Sequence, residues 1–80
     1  MNTLDIQYFA VLRQCAGKTA ETRASSSPNL GALYEELREA YGFPLPLDHV
    51  RVAVDGAYVP METPLRDKMT ITFIPPVAGG

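Results

Sequence analysis

Residues 28–42 read Pro28-Asn29-Leu30-Gly31-Ala32-Leu33-Tyr34-Glu35-Glu36-Leu37-Arg38-Glu39-Ala40-Tyr41-Gly42, and their spacing decides what kind of fold the chain can adopt. Leu30, Leu33, Tyr34, Leu37 and Tyr41 recur at the three- and four-residue intervals that gather side chains on one side of a helix. Glu35, Glu36, Arg38 and Glu39 fall between them, and the three glutamates read as a solvated acidic face. Asn29 or Ser27 can cap the start by accepting a bond from a free amide of the first turn, and Gly42 stands where a left-handed residue ends a helix. A helix with one apolar stripe has to bury it, and the rest of the chain reads as strands and loops, so the stripe is expected to cover a sheet.

Upstream of the helix, Leu4, Ile6 and Tyr8 alternate with Asp5, Gln7 and Phe9, the two-residue period of a half-buried strand, and the pattern predicts a first strand from about Leu4 to Leu12. Thr19 to Ala24 reads as a second strand, polar enough to lie at an edge. It should pair with the first as an antiparallel hairpin through a loop around Cys15 to Lys18. Downstream, Phe43-Pro44-Leu45-Pro46-Leu47 lacks two backbone donors and reads as a loop packed by its own apolar side chains. Val50, Val52 and Val54 share one strand face, and Asp55-Gly56 makes a tight turn into a short extended piece at Ala57 to Val59. Met69, Ile71 and Phe73 alternate with Thr70, Thr72 and Ile74 in a last strand that Pro75-Pro76 stops. The order is strand, strand, helix, strand, short strand, strand: an α+β roll with one sheet and one helix around a single core.

Eighty residues make one domain. A chain of this size buries only about 60% of its unfolded surface and has little interior to spare for a deep catalytic pocket. The net charge is −2, and the basic residues Arg13, Lys18, Arg23, Arg38, Arg51, Arg66 and Lys68 are scattered. No stripe follows a phosphate backbone, so nucleic acid is not an expected partner. Asp5 and Gln7 interrupt the first apolar run and no basic segment precedes it, so neither a secretory signal nor a membrane span is expected. One cysteine, Cys15, fits a reducing cytoplasm and reads as a semi-buried turn residue rather than a nucleophile. His49 is the single histidine and reads as a solvated loop residue. With no Cys/His/Asp cluster at ligand spacing, no metal site is expected.

After Ile74 the chain reads Pro75-Pro76-Val77-Ala78-Gly79-Gly80. The prolines favour an extended path and cannot prolong the sheet. At roughly 3.3 Å per residue, these six carry the terminal carboxylate on the order of 20 Å from the fold. Two glycines leave no side chain beside that carboxylate, so it can thread a narrow channel and be approached by a nucleophile.

Together with Tyr8-Phe9-Ala10-Val11-Leu12-Arg13 before Gly17, the Val54-Asp55-Gly56 turn and Pro64-Leu65 before Asp67, this ending resembles the small subunits of molybdopterin synthase. They form part of a wider family of ubiquitin-like sulfur carriers that includes the thiamine-pathway carrier. Gln14 and Asp55 depart from residues common in that family. The resemblance implies a ubiquitin-like β-grasp (ββαββ, a mixed sheet on one helix) over residues 1–74 and a flexible tail over residues 75–80. It implies that the chain is a non-catalytic sulfur donor whose working group is the Gly80 carboxylate. An ATP-dependent adenylyltransferase of the ubiquitin-activating type would adenylate Gly80, and a sulfur donor would convert it to a thiocarboxylate. The large synthase subunit, in an expected heterotetramer, would then supply the catalytic side chains that pass the sulfur to a pterin precursor. Sulfur delivery for thiamine, cysteine or transfer-RNA thiolation stays open, as does a ubiquitin-like interaction or tagging domain. No bound cofactor is expected, ATP being used by the activating enzyme.

Phe9 shares a strand face with Asp5 and Gln7, and Ile74 one with Thr70 and Thr72. Apolar residues on otherwise solvated faces mark a docking surface. In a β-grasp the first and last strands are parallel neighbours, which would gather Phe9, Val11 and Ile74 at the root of the tail. The resemblance adds Tyr58 to this patch and Arg13 as a polar contact.

Overall fold

The computed structural model describes residues 1–76 as β1 (Asn2–Tyr8), α1 (Ala10–Ala16), β2 (Ala20–Ser25), α2 (Leu30–Tyr41), β3 (Arg51–Val54), β4 (Ala57–Val59) and β5 (Thr70–Ile74). A single 3₁₀ turn, Leu47–His49, leads into β3. The strands form one sheet in the order β2-β1-β5-β3-β4. The first and last strands pair in parallel at its centre, Asp5 opposite Thr70 through Tyr8 opposite Phe73, and every other pairing is antiparallel.

Alternation does what the sequence pattern predicts. Leu4, Ile6 and Tyr8 of β1, Ile71 and Phe73 of β5 and Val52 and Val54 of β3 are buried on one face, against Leu30, Leu33, Tyr34 and Leu37 of α2. The Asn29 side chain caps α2 by accepting from the Ala32 amide at 2.8 Å, and Gly42 closes it at φ 72°. Two further first-turn amides are taken by the 61–63 loop: Leu30 donates to the Thr63 carbonyl at 3.0 Å and Gly31 to the Met61 carbonyl at 2.8 Å. Asp55 and Gly56 both adopt positive φ, 51° and 88°, as a two-residue hairpin turn with right-handed strand twist requires. Phe43 is buried, and Leu45 and Leu47, half-buried in the loop leading to β3, pack against the core.

The first strand is the principal correction. It ends at Tyr8 rather than Leu12. Ala10 takes φ 51°, and the chain turns into a seven-residue helix, so two helices flank the sheet instead of one. The two-residue period ran into a different pattern that it partly mimicked. Val11, Leu12, Cys15 and Ala16 sit at helical intervals, Leu12 is fully buried, and the other three pack against the core. Gly17 at φ 74° ends α1, its amide bonding the Arg13 carbonyl at 2.9 Å. Cys15 therefore lies in a helix, not in a turn.

The acidic face of α2 also needs correcting at one residue. Glu36 is not simply solvated. It accepts from Arg23 Nε at 2.8 Å, Ser25 Oγ at 2.7 Å and Ser27 Oγ at 2.9 Å, tying β2 to the helix. Burial pushes the Glu36 carboxyl up, but these bonds and the Arg23 charge outweigh it and hold it below the usual carboxylate range.

Leu37→Ala, which opens a cavity between α2 and the sheet, should cost about 2–5 kcal/mol. Asn29→Ala, which removes only a cap, should cost about 1 kcal/mol. Urea unfolding followed by circular dichroism checks both values and their order.

Candidate functional site

Parity along each strand builds the second face of the sheet. Asp5 and Gln7 of β1, Thr70, Thr72 and Ile74 of β5 and Arg51 and Ala53 of β3 alternate with the core residues, so they face away from α2. Tyr58 joins them opposite Ala53. One end of this face is polar, with Thr22 Oγ1 donating to Asp5 at 2.8 Å and Thr72 Oγ1 to Gln7 at 3.3 Å. The other end, where β5 runs out toward the tail, is apolar and aromatic.

That end collects most of the sequence-predicted patch. The register Tyr8 opposite Phe73 brings the residues that follow, Phe9 and Ile74, to the same edge of the sheet. Phe9 is 48% exposed and Tyr58 65% exposed; with Met1 they are the large apolar side chains most open to solvent among the described residues. Ile74 is half-buried and pairs with Arg51 across β3. Arg13 is exposed on α1. Val11 is placed differently from the sequence expectation: it lies on α1 and packs against the core rather than lining the sheet face. Pro75 and Pro76 follow Ile74, whereas Val77, Ala78, Gly79 and Gly80 lie outside the described residues.

Beside the prolines lies a cleft of about 290 Å³ lined by Asp48, His49, Arg51, Tyr58, Ile74, Pro75 and Pro76. Sequence reading singled out Tyr58, Ile74 and the prolines, but Arg51 and Asp48 not at all, and His49 only as a solvated residue. The signal for Arg51 was its parity: it is two residues from Ala53 and out of phase with Val50, Val52 and Val54. Its neighbour across the sheet, however, is set by a pairing that no local pattern contains.

A clamp on the core side fixes the end of β1. Glu21 accepts hydrogen bonds from the Tyr8 hydroxyl and from the Tyr41 hydroxyl, the latter at 2.7 Å, and Lys18 Nζ stands 3.5 Å away. Burial pushes the Glu21 carboxyl up, but the bonds from Tyr8 and Tyr41 and the Lys18 and Arg23 charges more than offset this and hold it below the usual carboxylate range. The Tyr8 phenol is pushed well above its ordinary value, first by burial and then by its bond to Glu21. Among the described residues no group of three or more His, Cys, Asp or Glu is placed to hold a metal, and no helix is long and apolar enough to cross a membrane.

The sequence matches the ThiS family over residues 6–80. The chain belongs to the ThiS family. Among curated relatives, the molybdopterin synthase sulfur carrier subunit of Mycobacterium tuberculosis is 32% identical over 85 residues, covering 100% of both chains. Among solved structures, a Pyrococcus furiosus protein assigned as subunit 1 of molybdopterin converting factor superposes with a TM-score of 0.78 at 28% identity, over 96% of this chain and 100% of that one. A chain from the complex of subunits 1 and 2 of the Helicobacter pylori molybdopterin-converting factor superposes at 0.66 with 23% identity, over 98% of this chain and 99% of that one. At that identity the likeness is one of fold. The α+β roll is thus the ubiquitin-like β-grasp of ThiS-family sulfur carriers.

The Glu21 clamp makes a pH-dependent contribution whose sign follows from its shift. Its folded value lies below the unfolded one, so the stability it adds is present above about pH 4.5 and is lost as pH falls through the folded value. Glu21→Gln should be less stable than the native chain near pH 7, and the gap in urea midpoint should narrow as the pH falls below about 4.5.

Proposed function

We propose that this ThiS-family chain is the sulfur-carrier subunit of a molybdopterin synthase, working through the carboxylate of Gly80. The observation that carries the reading is the 32% identity to the Mycobacterium tuberculosis carrier across the full length of both chains. The shape of the described domain supports it. The central strand β5 ends at Pro75-Pro76 beside an exposed aromatic patch, so a partner can grip the patch while the following residues reach into its pocket.

A carboxylate is a poor acyl donor until a leaving group is attached. In the proposed cycle, the Gly80 carboxylate attacks the α-phosphate of ATP in an adenylyltransferase, releasing pyrophosphate and forming an acyl-adenylate. Sulfide attacks the acyl carbon, AMP leaves, and a thiocarboxylate remains. In a large synthase subunit the thiocarboxylate sulfur attacks an electrophilic carbon of the pterin precursor and displaces an oxygen leaving group from it. Water then attacks the resulting thioester carbonyl and breaks its carbon–sulfur bond, which frees the carrier as the carboxylate and leaves the sulfur on the pterin. In this reading the side chains that move protons belong to the large subunit. The H. pylori complex of subunits 1 and 2 contains a chain of this fold, which supports a partner of the subunit 2 kind. Phe9, Ile74 and Tyr58, with Arg13 at the flank, form the docking edge in this reading, and Pro75 to Gly79 the approach to the reacting carboxyl group.

Incubation with ATP, an activating enzyme and a sulfide source should add the mass of one sulfur in place of one oxygen, read by intact-protein mass spectrometry, and deletion of Gly80 should abolish the gain. No gain with an activating enzyme proven on another carrier would reject the carrier function. Phe9→Asp and Ile74→Asp should leave thermal unfolding within a few degrees of native and weaken association with a subunit 2 homologue at least about tenfold in calorimetric titration. Native affinity in both variants would remove this edge from the interface.

A further inference from the structure

Arg51 is the cation at the tail's root. Lys18, Arg23 and Arg38 each meet a glutamate, but Arg51 has no ion pair among the described residues. It is nevertheless held in place. Its backbone is locked into the sheet opposite Ile74, and its guanidinium lies 6.0 Å from the centre of the exposed Tyr58 ring. A guanidinium resting on an aromatic face keeps its donors free in their plane and loses less freedom when they are used.

The cleft it lines has Pro75 and Pro76 as another wall. An enzyme that acts on residue 80 has only four residues of chain beyond Pro76, at most about 14 Å, in which to reach it. Its surface therefore abuts the prolines and covers the cleft. Covering Arg51 strips water from a charge, a cost that a facing carboxylate offsets and an apolar surface does not. Asp48, on the same cleft, repels a carboxylate misplaced to its side, so it restricts where the partner's charge can sit.

We propose that Arg51 is a specificity-determining residue of the docking surface. It receives an acidic side chain of the subunit 2 partner, while Tyr58 and Ile74 form the apolar floor beside it. This rests on the proposed function, because it takes the partner to be the enzyme that receives the tail. The same carboxylate would steer the approach of the two proteins and make their association salt-dependent.

The test titrates the full chain into the subunit 2 homologue of the same organism, in calorimetry at about 50 mM and about 300 mM salt. Arg51→Glu should weaken binding at least about tenfold at the lower salt and flatten or invert the salt dependence. Arg51→Lys, which keeps the charge but loses the planar fork over Tyr58, should weaken binding less than Arg51→Glu does and should keep the native sign of the salt dependence. Lys68→Glu, an equal charge change in the loop before β5, should alter affinity by no more than about threefold, and thermal unfolding reports that each variant is folded. Native binding with Arg51→Glu at native affinity overturns the assignment of Arg51 and leaves the proposed function standing. Failure of the native chain to bind at all overturns both. A loss in Lys68→Glu equal to that in Arg51→Glu overturns the assignment as well, since net charge alone would then explain it.

Discussion

The parallel pairing of β1 with β5 is the constraint on which the rest depends. It joins the first strand to the last at the centre of the sheet, Asp5 to Thr70 and Tyr8 to Phe73. Two parallel neighbours cannot be joined by a tight turn, so the intervening chain has to cross over the sheet. Here α2 makes the crossing and buries its stripe on the way. The same pairing fixes where the tail leaves. Because β1 and β5 run in one direction, the residues after Tyr8 and after Phe73 emerge side by side, and Phe9 meets the edge from which Pro75 and Pro76 depart.

Around that pairing, aromatic packing and a few polar ties join the sheet to the helical layer. Tyr8 meets Phe43 edge-on at 5.9 Å, and Tyr34 lies 5.3 Å from Phe73 between ring centres. The Tyr34 hydroxyl donates to the Leu45 carbonyl at 2.8 Å, and burial pushes the phenol up to about 12. Glu21 gathers Tyr8 and Tyr41, and Glu36 gathers Arg23, Ser25 and Ser27, so both acidic residues serve as joints between β2 and the helical layer. No buried side-chain nitrogen or oxygen among the described residues lacks a partner, which is how so small a core accommodates polar joints without a penalty.

These features suit a domain that presents a group rather than encloses one. The β-grasp of the ThiS family offers a rigid sheet edge, a patch that includes Phe9, Tyr58 and Ile74, and a cation at Arg51 beside the exit of the tail. In the proposed docking, a partner that grips an edge already ordered by the sheet spends little further ordering on it. The chemistry proposed for Gly80 needs no pocket in this chain, only a fixed point of departure.

Much of this was legible in the sequence wherever the determinant was local. Helical spacing from Leu30 to Tyr41 with Asn29 and Gly42 at its ends, the Asp55-Gly56 turn, and the alternation from Met69 to Ile74 each act over a few residues, so period and turn chemistry sufficed. Local pattern misled at Val11 to Ala16, where a short helical stripe follows a strand without a break in hydrophobicity and the turn sits on Ala10, a residue with no special preference for positive φ. What the sequence could not contain by itself was juxtaposition. Arg51 stands opposite Ile74, and Glu36 beside Arg23, through strand register and helix docking between residues distant in the chain. The sequence by itself determined α2, the Asp55-Gly56 turn and the alternating strands, because those follow from side-chain period and backbone freedom. Only the tertiary structure decided which charges and rings surround the tail's root, because register is settled by burying one whole face of the sheet at once.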